Sequence, residues 1–324
     1  MTKRIDALAV AVSLAVGWAA GATAQSYPSK TITIVSPAPA GGVTDTLGRA
    51  LAQRFSKAWG QQAVVENKPG ANNQLAAEYI VNSAPDGHTL FIAPDGTFVA
   101  NPSLYPKLPY DPHTSFTPIV GLVIINHGLM FHPAFPPNNI KELIELARQK
   151  PGEINYGTFG IGSSGHLNMV LLETMTGVKF QAVHYKGAAP AMNDVIAGHI
   201  QMGFVSAGSA APQWKAGKVK LAAVGGLKRL PQLPEIPTVA ETVPGYEGVS
   251  WFGLFGPAGM PAATVAKINA EVRALFADAE FQKGFLDRFM FQPIAGSPQD
   301  LANFARSEEP KWSKIIRDAK IKVE

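Results

Sequence analysis

Four times along this chain an extended, β-rich run stops at a small-residue turn containing glycine and restarts as a helix. Two units lie early: residues 31–35 followed by Pro39-Ala40-Gly41-Gly42, and 63–65 followed by Pro69-Gly70-Ala71-Asn72-Asn73. Two lie in the middle: residues 154–156 followed by Gly160-Ile161-Gly162-Ser163-Ser164-Gly165, and 180–183 followed by Lys186-Gly187-Ala188-Ala189. Strands alternating with helices specify an α/β fold with parallel sheets. A helix N-terminus carries unpaired N–H donors and about half a positive charge, so each unit offers a seat for a carboxylate or phosphate. Pairs of such seats on two lobes can grip one small anion between them.

The chain begins with Lys3 and Arg4, an apolar run over residues 7–20 and the small-x-small sequence Ala22-Thr23-Ala24. Together these predict a secretory signal peptide over residues 1–24, cleaved near Ala24, and hence an exported, periplasmic protein. The apolar run is shorter than the ~20 residues a membrane span requires. Cysteine is absent, which excludes disulfides, thiolate chemistry and cysteine-based metal sites. The roughly 300 residues left after cleavage exceed what one core organises, so two lobes are expected. The formal charge is +4, to which Lys3, Arg4 and Asp6 contribute +1. That charge, with no basic cluster or aromatic-interleaved basic stripe, argues against nucleic acid and suits a small anionic ligand.

Helical spacing of apolar residues predicts helices over residues 43–58, 75–82, 140–148, 165–175, 189–197, 264–276 and 299–319, with strands at 88–93 and 249–255. Residues 101–118 read as irregular, and 119–124 as a crossover between lobes. The proline-rich run 230–237 reads as a linker or edge-wrapping loop, since no core strand contains such a run. The expected organisation is a first lobe of residues 25–123 plus 250–324, a second of 124–249, and a hinge of two crossing strands.

Several motifs carry competing readings. Gly160-Ile161-Gly162-Ser163-Ser164-Gly165 matches the dinucleotide fingerprint, yet the acidic residue expected about twenty positions on is missing. An anion-seating turn with two hydroxyl donors, Ser163 and Ser164, is the better reading. A secreted serine hydrolase using either serine is the alternative, but neither sits in a Gly-x-Ser-x-Gly elbow. His166, in a first helical turn, reads as a capping or cleft-lining residue that resists protonation beside the positive helix end. No metal-ligand spacing occurs among the seven histidines, so neither metal nor cofactor is expected. Asp45 reads equally as a dipole partner or a ligand contact. Gly41 and Gly42 read as a seat, Asn72 and Asn73 as left-handed turn residues or amide donors, and Lys186 as solvated or facing a charged ligand.

These residues together resemble the substrate-binding receptors of the tripartite tricarboxylate transporter family, the Bug-type periplasmic solute-binding proteins. The likeness runs from Tyr27 to the C-terminus. It rests on Tyr27-Pro28-Ser29-Lys30, Gly41-Gly42-x-x-Asp45, Val65-Glu66-Asn67-Lys68-Pro69-Gly70-Ala71, Leu108-Pro109-Tyr110-Asp111, Gly162-Ser163-Ser164-x-His166-Leu167, Tyr185-Lys186-Gly187-Ala188-Ala189-Pro190-Ala191 and Trp251-Phe252-Gly253-Leu254-Phe255-Gly256-Pro257-Ala258-Gly259. The resemblance implies a two-lobed Venus-flytrap of the type II binding-protein class that holds a small carboxylate, acts as a monomer without catalysis, and serves a membrane transporter or, as a co-receptor, a membrane sensor. Ala38, Ala40, Gly41, Gly42, Asp45, Asn72, Asn73, Thr97, Ser163, Ser164, His166, His184, Lys186, Gly187 and Ser206 are the residues expected around the ligand. Three departures fall among them: Ala38 where the family usually has an aromatic residue, Asn72-Asn73 in place of paired glycines, and His184 in place of proline. A lost ring and two added amides predict a ligand bulkier than a four-carbon diacid, such as an aromatic carboxylate.

Overall fold

The computed structural model describes residues 27–323; the expected signal peptide lies outside them. The first lobe is built on strands β1 (Ile32–Ser36), β2 (Ala63–Asn67) and β3 (Thr89–Pro94), which run parallel in the order β2-β1-β3. The second is built on β5 (Asn155–Thr158), β6 (Gln181–His184) and β7 (Met202–Ser206), parallel in the order β6-β5-β7. Joining them is β4 (Phe116–Phe131), a 16-residue strand hydrogen-bonded into both sheets. Its residues up to Asn126 pair with β9 (Val249–Pro257), which also pairs with β3; from His127 onward it pairs with β7 and with β8 (Lys220–Val224). β10 (Phe291–Ala295) adds to the first-lobe stretch of β4. The crossover expected over residues 119–124 is therefore the middle of a longer strand, and β4 changes partners between Asn126 and His127, a few residues beyond that stretch.

Helices follow the parallel strands as the apolar spacing requires. In α1 (Val43–Trp59) the buried residues Leu47, Leu51 and Phe55 recur every four positions, and Gly60 ends the helix in a left-handed conformation with its N–H on the Ser56 carbonyl. The short α2 (Gln74–Val81) follows β2 after a tight turn, and α3 (Ile140–Gln149) is capped by the Asn139 side chain, which accepts from the Glu142 N–H. α4 (Ser164–Thr176) and α5 (Ala188–Ala197) follow β5 and β6, each closed by a left-handed glycine, Gly177 and Gly198. α6 (Ala207–Lys215) follows β7. α7 (Ala262–Ala277) and α8 (Pro298–Asp318) return to the first lobe.

One face of the first sheet packs Ile32, Ile34, Leu90 and Ile92 against Leu47, Phe55, Ile268 and Val272. The other face belongs to a core that runs without interruption from Val35 and Phe91 through Trp251 and Trp312 to Leu129, Tyr156 and Leu172 of the second lobe. α8 contributes to that continuity, since it packs on the short turns after β3 and also on α4, and Lys311 donates to the Glu247 carbonyl at 2.7 Å. Where residues 101–118 read as irregular, the structure has a helical turn at Asn101–Leu104, then loop, then the start of β4.

The cleft between the lobes

In both lobes the candidate residues sit at the C-terminal ends of parallel strands, where the chain turns into a helix. The lobes meet at that edge: Gly162, in the turn after β5, lies against Leu104 and Asn72 of the first lobe. The two sets of strand ends therefore face each other.

In the turn after β1, Ser36 Oγ pairs with Thr44 Oγ1 at 2.8 Å, and the Ala38 carbonyl accepts from Asn67 Nδ2 at 2.9 Å. The Gly41 N–H donates to Asp45 Oδ2 at 2.9 Å and the Gly42 N–H to the Pro39 carbonyl at 3.0 Å. These two glycines were expected to present bare amides, and they do not. Their own turn uses them, because a chain reversing this tightly satisfies its inner N–H groups internally. The Ala40 N–H has no partner among the described residues, and Gly42 caps α1 without any side-chain bond to the first turn. Gly41 (φ 82°) has open space where a side chain would be, whereas a Cβ on Gly42 would stand 2.8 Å from that of Ala38. Asp45 is only 2% exposed. Burial alone would raise its carboxyl, but hydrogen bonds from Arg49, the Gly41 N–H and Asn67 outweigh this and hold it below the ordinary carboxylate value. With all these donors on its two oxygens, Asp45 shapes the turn.

After β2, Asn72 Nδ2 donates to Asn101 Oδ1 at 2.7 Å and Asn101 Nδ2 returns a bond to the Asn72 carbonyl at 2.9 Å. The Asn72 amide is thus engaged within its own lobe. Asn73 has no side-chain bond, and its Nδ2 lies over Gly96 at the end of β3. Next to Gly96, Thr97 is fully buried and its hydroxyl lacks a partner.

In the second lobe, Ser163 caps α4: its hydroxyl accepts from the His166 N–H and donates to the Gly160 carbonyl at 2.7 Å. His166 Nδ1 accepts from the Gly162 N–H at 3.0 Å, which leaves the ring neutral with its hydrogen on Nε2. The His184 ring meets it edge-on at 5.1 Å, and His184 Nδ1 lies 2.8 Å from Thr158 Oγ1. Lys186 is exposed beside Gly187, which caps α5 with no side-chain bond and has nearly open space above it. Ser206 heads α6 in the same uncapped way.

His127, missed in the sequence, lies opposite Ser206 in the β4–β7 register, and its Nε2 is 3.3 Å from Ser164 Oγ. The polar pair Asn126-His127 in the otherwise apolar stretch 119–131 was the available signal. Among the described residues no carboxylate bonds the His127 ring, whose other polar neighbour is the Gly248 backbone, so the Ser164–His127 pair lacks the acid that would orient a hydrolytic triad. Burial pushes His127 down to about 4, and burial followed by the neighbouring His184 does the same to His166. Stability from keeping these rings neutral is fully present above about pH 6.5 and is lost as pH falls through about 4. In a histidine NMR titration both rings should hold neutral shifts from pH 8 to about 5; titration of either near its ordinary value would show the ring to be solvated.

Two strand–turn–helix layers opposed across the shared strand β4 define a two-lobed solute-binding receptor; of the two crossing strands expected, only β4 is bonded into both sheets, and β9 pairs within the first lobe alone. The profile described as "Tripartite tricarboxylate transporter family receptor" matches residues 47–321. The chain belongs to this family of periplasmic solute-binding receptors, which are not enzymes. Among relatives, the UPF0065 protein in the tcbD-tcbE intergenic region of Pseudomonas sp. (strain P51) is 31% identical, over 90% of this chain and 87% of that one. Rpa4515 of R. palustris, solved with adipate, is 35% identical with a TM-score of 0.87, over 92% of this chain and 100% of that one. MatC (Rpa3494) from Rhodopseudomonas palustris, solved with bound malate, is 31% identical with a TM-score of 0.82, over 90% and 100%.

Proposed function

We propose that this protein is exported to the periplasm, captures a small organic carboxylate between its lobes and hands it to a membrane transporter. The observation that carries this reading is the pair of glycine-capped helix starts on opposite lobes, Gly42 before α1 and Gly187 before α5, neither engaged by a side-chain cap. Anions seat at such ends. Asn73, Thr97 and the neutral His166 and His184 add donors without adding a charge to desolvate. Hydrogen bonds to a charged group are worth roughly 1.5–3 kcal/mol each, so five or six give ~8–18 kcal/mol gross. Association itself costs ~4–15 kcal/mol, so reaching micromolar affinity, about −8 kcal/mol, requires burying the ligand's apolar body as well.

Relatives solved with adipate and malate support the carboxylate class. The small Ala38 and the polar His184 favour an acid larger than malate. A thermal-shift screen with malate, adipate, benzoate and phthalate tests both levels. At a hundredfold excess over its Kd a ligand adds about 2.7 kcal/mol, a shift of roughly 5 °C for a protein of this size. Adipate or a benzene carboxylate should produce that shift. If malate alone does, the size argument fails; if no carboxylate does, the receptor reading fails with it.

A further inference from the structure

Residues 70–73 have an unusual backbone. Gly70 (φ 134°) is followed by Ala71 (φ 45°), Asn72 (φ 49°) and Asn73 (φ 73°), three successive non-glycine residues in the left-handed region. Each such residue costs roughly 1–2 kcal/mol, and a run of them persists only where its surroundings over-determine it. Asn101 does so here. It is fully buried, exchanges two hydrogen bonds with Asn72, and also donates to the Tyr110 hydroxyl at 3.0 Å, which in turn donates to the Thr97 carbonyl at 2.9 Å. What this arrangement supports is a contact with the other lobe. Gly162 (φ 74°) is buried, and a methyl group added to it would collide with Leu104 Cδ1 and stand 3.5 Å from Asn72 Nδ2. Asn101 and Leu104 are the two ends of one helical turn, so a single turn both fixes the strained loop and supplies the surface on which the opposite lobe rests.

We infer that Asn72 and Leu104 form the first-lobe half of a closure latch, that Gly162 is its second-lobe half, and that Asn101 is the positioning residue that shapes it. The proposal rests on the receptor reading only in that closure serves capture. Neither lobe needs this contact for its own fold, so the contact stabilises the closed arrangement relative to the open one. Asn72 therefore acts on ligand affinity through closure, with no contact to the ligand.

The absence of cysteine permits clean labelling. Lys57→Cys on α1 and Arg148→Cys on α3, both exposed and on opposite lobes, take spin labels whose separation is read by pulsed electron paramagnetic resonance. Asn72→Gly keeps the backbone, since glycine adopts φ 49° freely, and keeps the bond from Asn101 Nδ2 to the residue 72 carbonyl, but loses the side-chain amide that donates to Asn101 Oδ1 and lies nearest Gly162. Gly162→Ala introduces the collision with Leu104 across the cleft and also strains its own turn at φ 74°, so Leu104→Ala, which removes the same contact from the other side without touching that turn, is measured beside it. Each should lower the closed-to-open ratio roughly tenfold, in buffer and in millimolar adipate, while circular dichroism shows a folded protein. Distance distributions identical to those of the labelled parent in all three variants and both conditions would overturn the latch. The comparison in buffer reads the latch whatever adipate does, so failure of the carboxylate reading is seen separately, in the parent's lack of response to adipate.

Discussion

Asp45→Asn should be among the most damaging single-atom changes in the first lobe, although it conserves shape. One of the two carboxylate oxygens becomes an NH2 group facing existing donors: the Gly41 N–H on Oδ2, or Asn67 Nδ2 on Oδ1, with Arg49 donating to both. Replacing an acceptor with a donor leaves a part-buried N–H without a partner and removes the charge that strengthened the other bonds, a loss of about 2–3 kcal/mol. Arg49 adds little to that figure because its side chain is largely exposed. The melting point should fall by about 4–6 °C, and affinity in the carboxylate screen should fall with it because the turn before α1 no longer holds its shape. A variant that melts like the parent yet has lost all binding would instead make Asp45 a direct ligand contact.

Asp95→Asn should do the opposite, and only at neutral to alkaline pH. Asp95 lies at the end of β3, accepts from the Gly96 N–H at 2.8 Å, and has its own N–H on the Trp251 carbonyl of the neighbouring strand β9. Burial pushes its carboxyl up to about 7. An acid whose folded value is raised contributes stability that is present below its unfolded value, about 3.9, and is lost as pH rises through about 7. Asparagine keeps the acceptor and never ionises. In denaturant titrations the variant should match the parent near pH 4 and exceed it by on the order of 4 kcal/mol at pH 8. A difference that stays constant across that range would show that Asp95 is already ionised in the folded protein at low pH.

Much of the fold was legible because it is written in local periodicity. The helices expected over 43–58, 140–148 and 189–197 are α1, α3 and α5 to within a residue or two at either end, since buried apolar positions and glycine stops mark them in the chain itself. β7, β8 and β10 were not legible. β7 is buried on both faces and so shows no alternation, and β10 contains Pro293, a residue that argues against a strand except at an edge. The place of the candidate residues at the ends of parallel strands was legible, the hydrogen bonding within their turns less so. That the N–H groups of Gly41 and Gly42 close their own turn, or that Asn72 finds its partner 29 residues later in Asn101, depends on tertiary geometry that no spacing rule carries. His127, beside Asn126, could have been flagged as polar in an apolar run, but its meeting with Ser164 requires the second sheet to be in place.

The strand shared by both sheets has a mechanical consequence. β4 is bonded to β9 and β10 on one side of the Asn126–His127 junction and to β7 and β8 on the other, so each half is stiffened by its own neighbours and compliance is concentrated in the peptide units between them. Rotation about that junction would carry the outer surfaces as two plates about a pin. A membrane protein that touches both plates at once can sense their mutual angle, and so register whether the vessel is full without ever touching its contents.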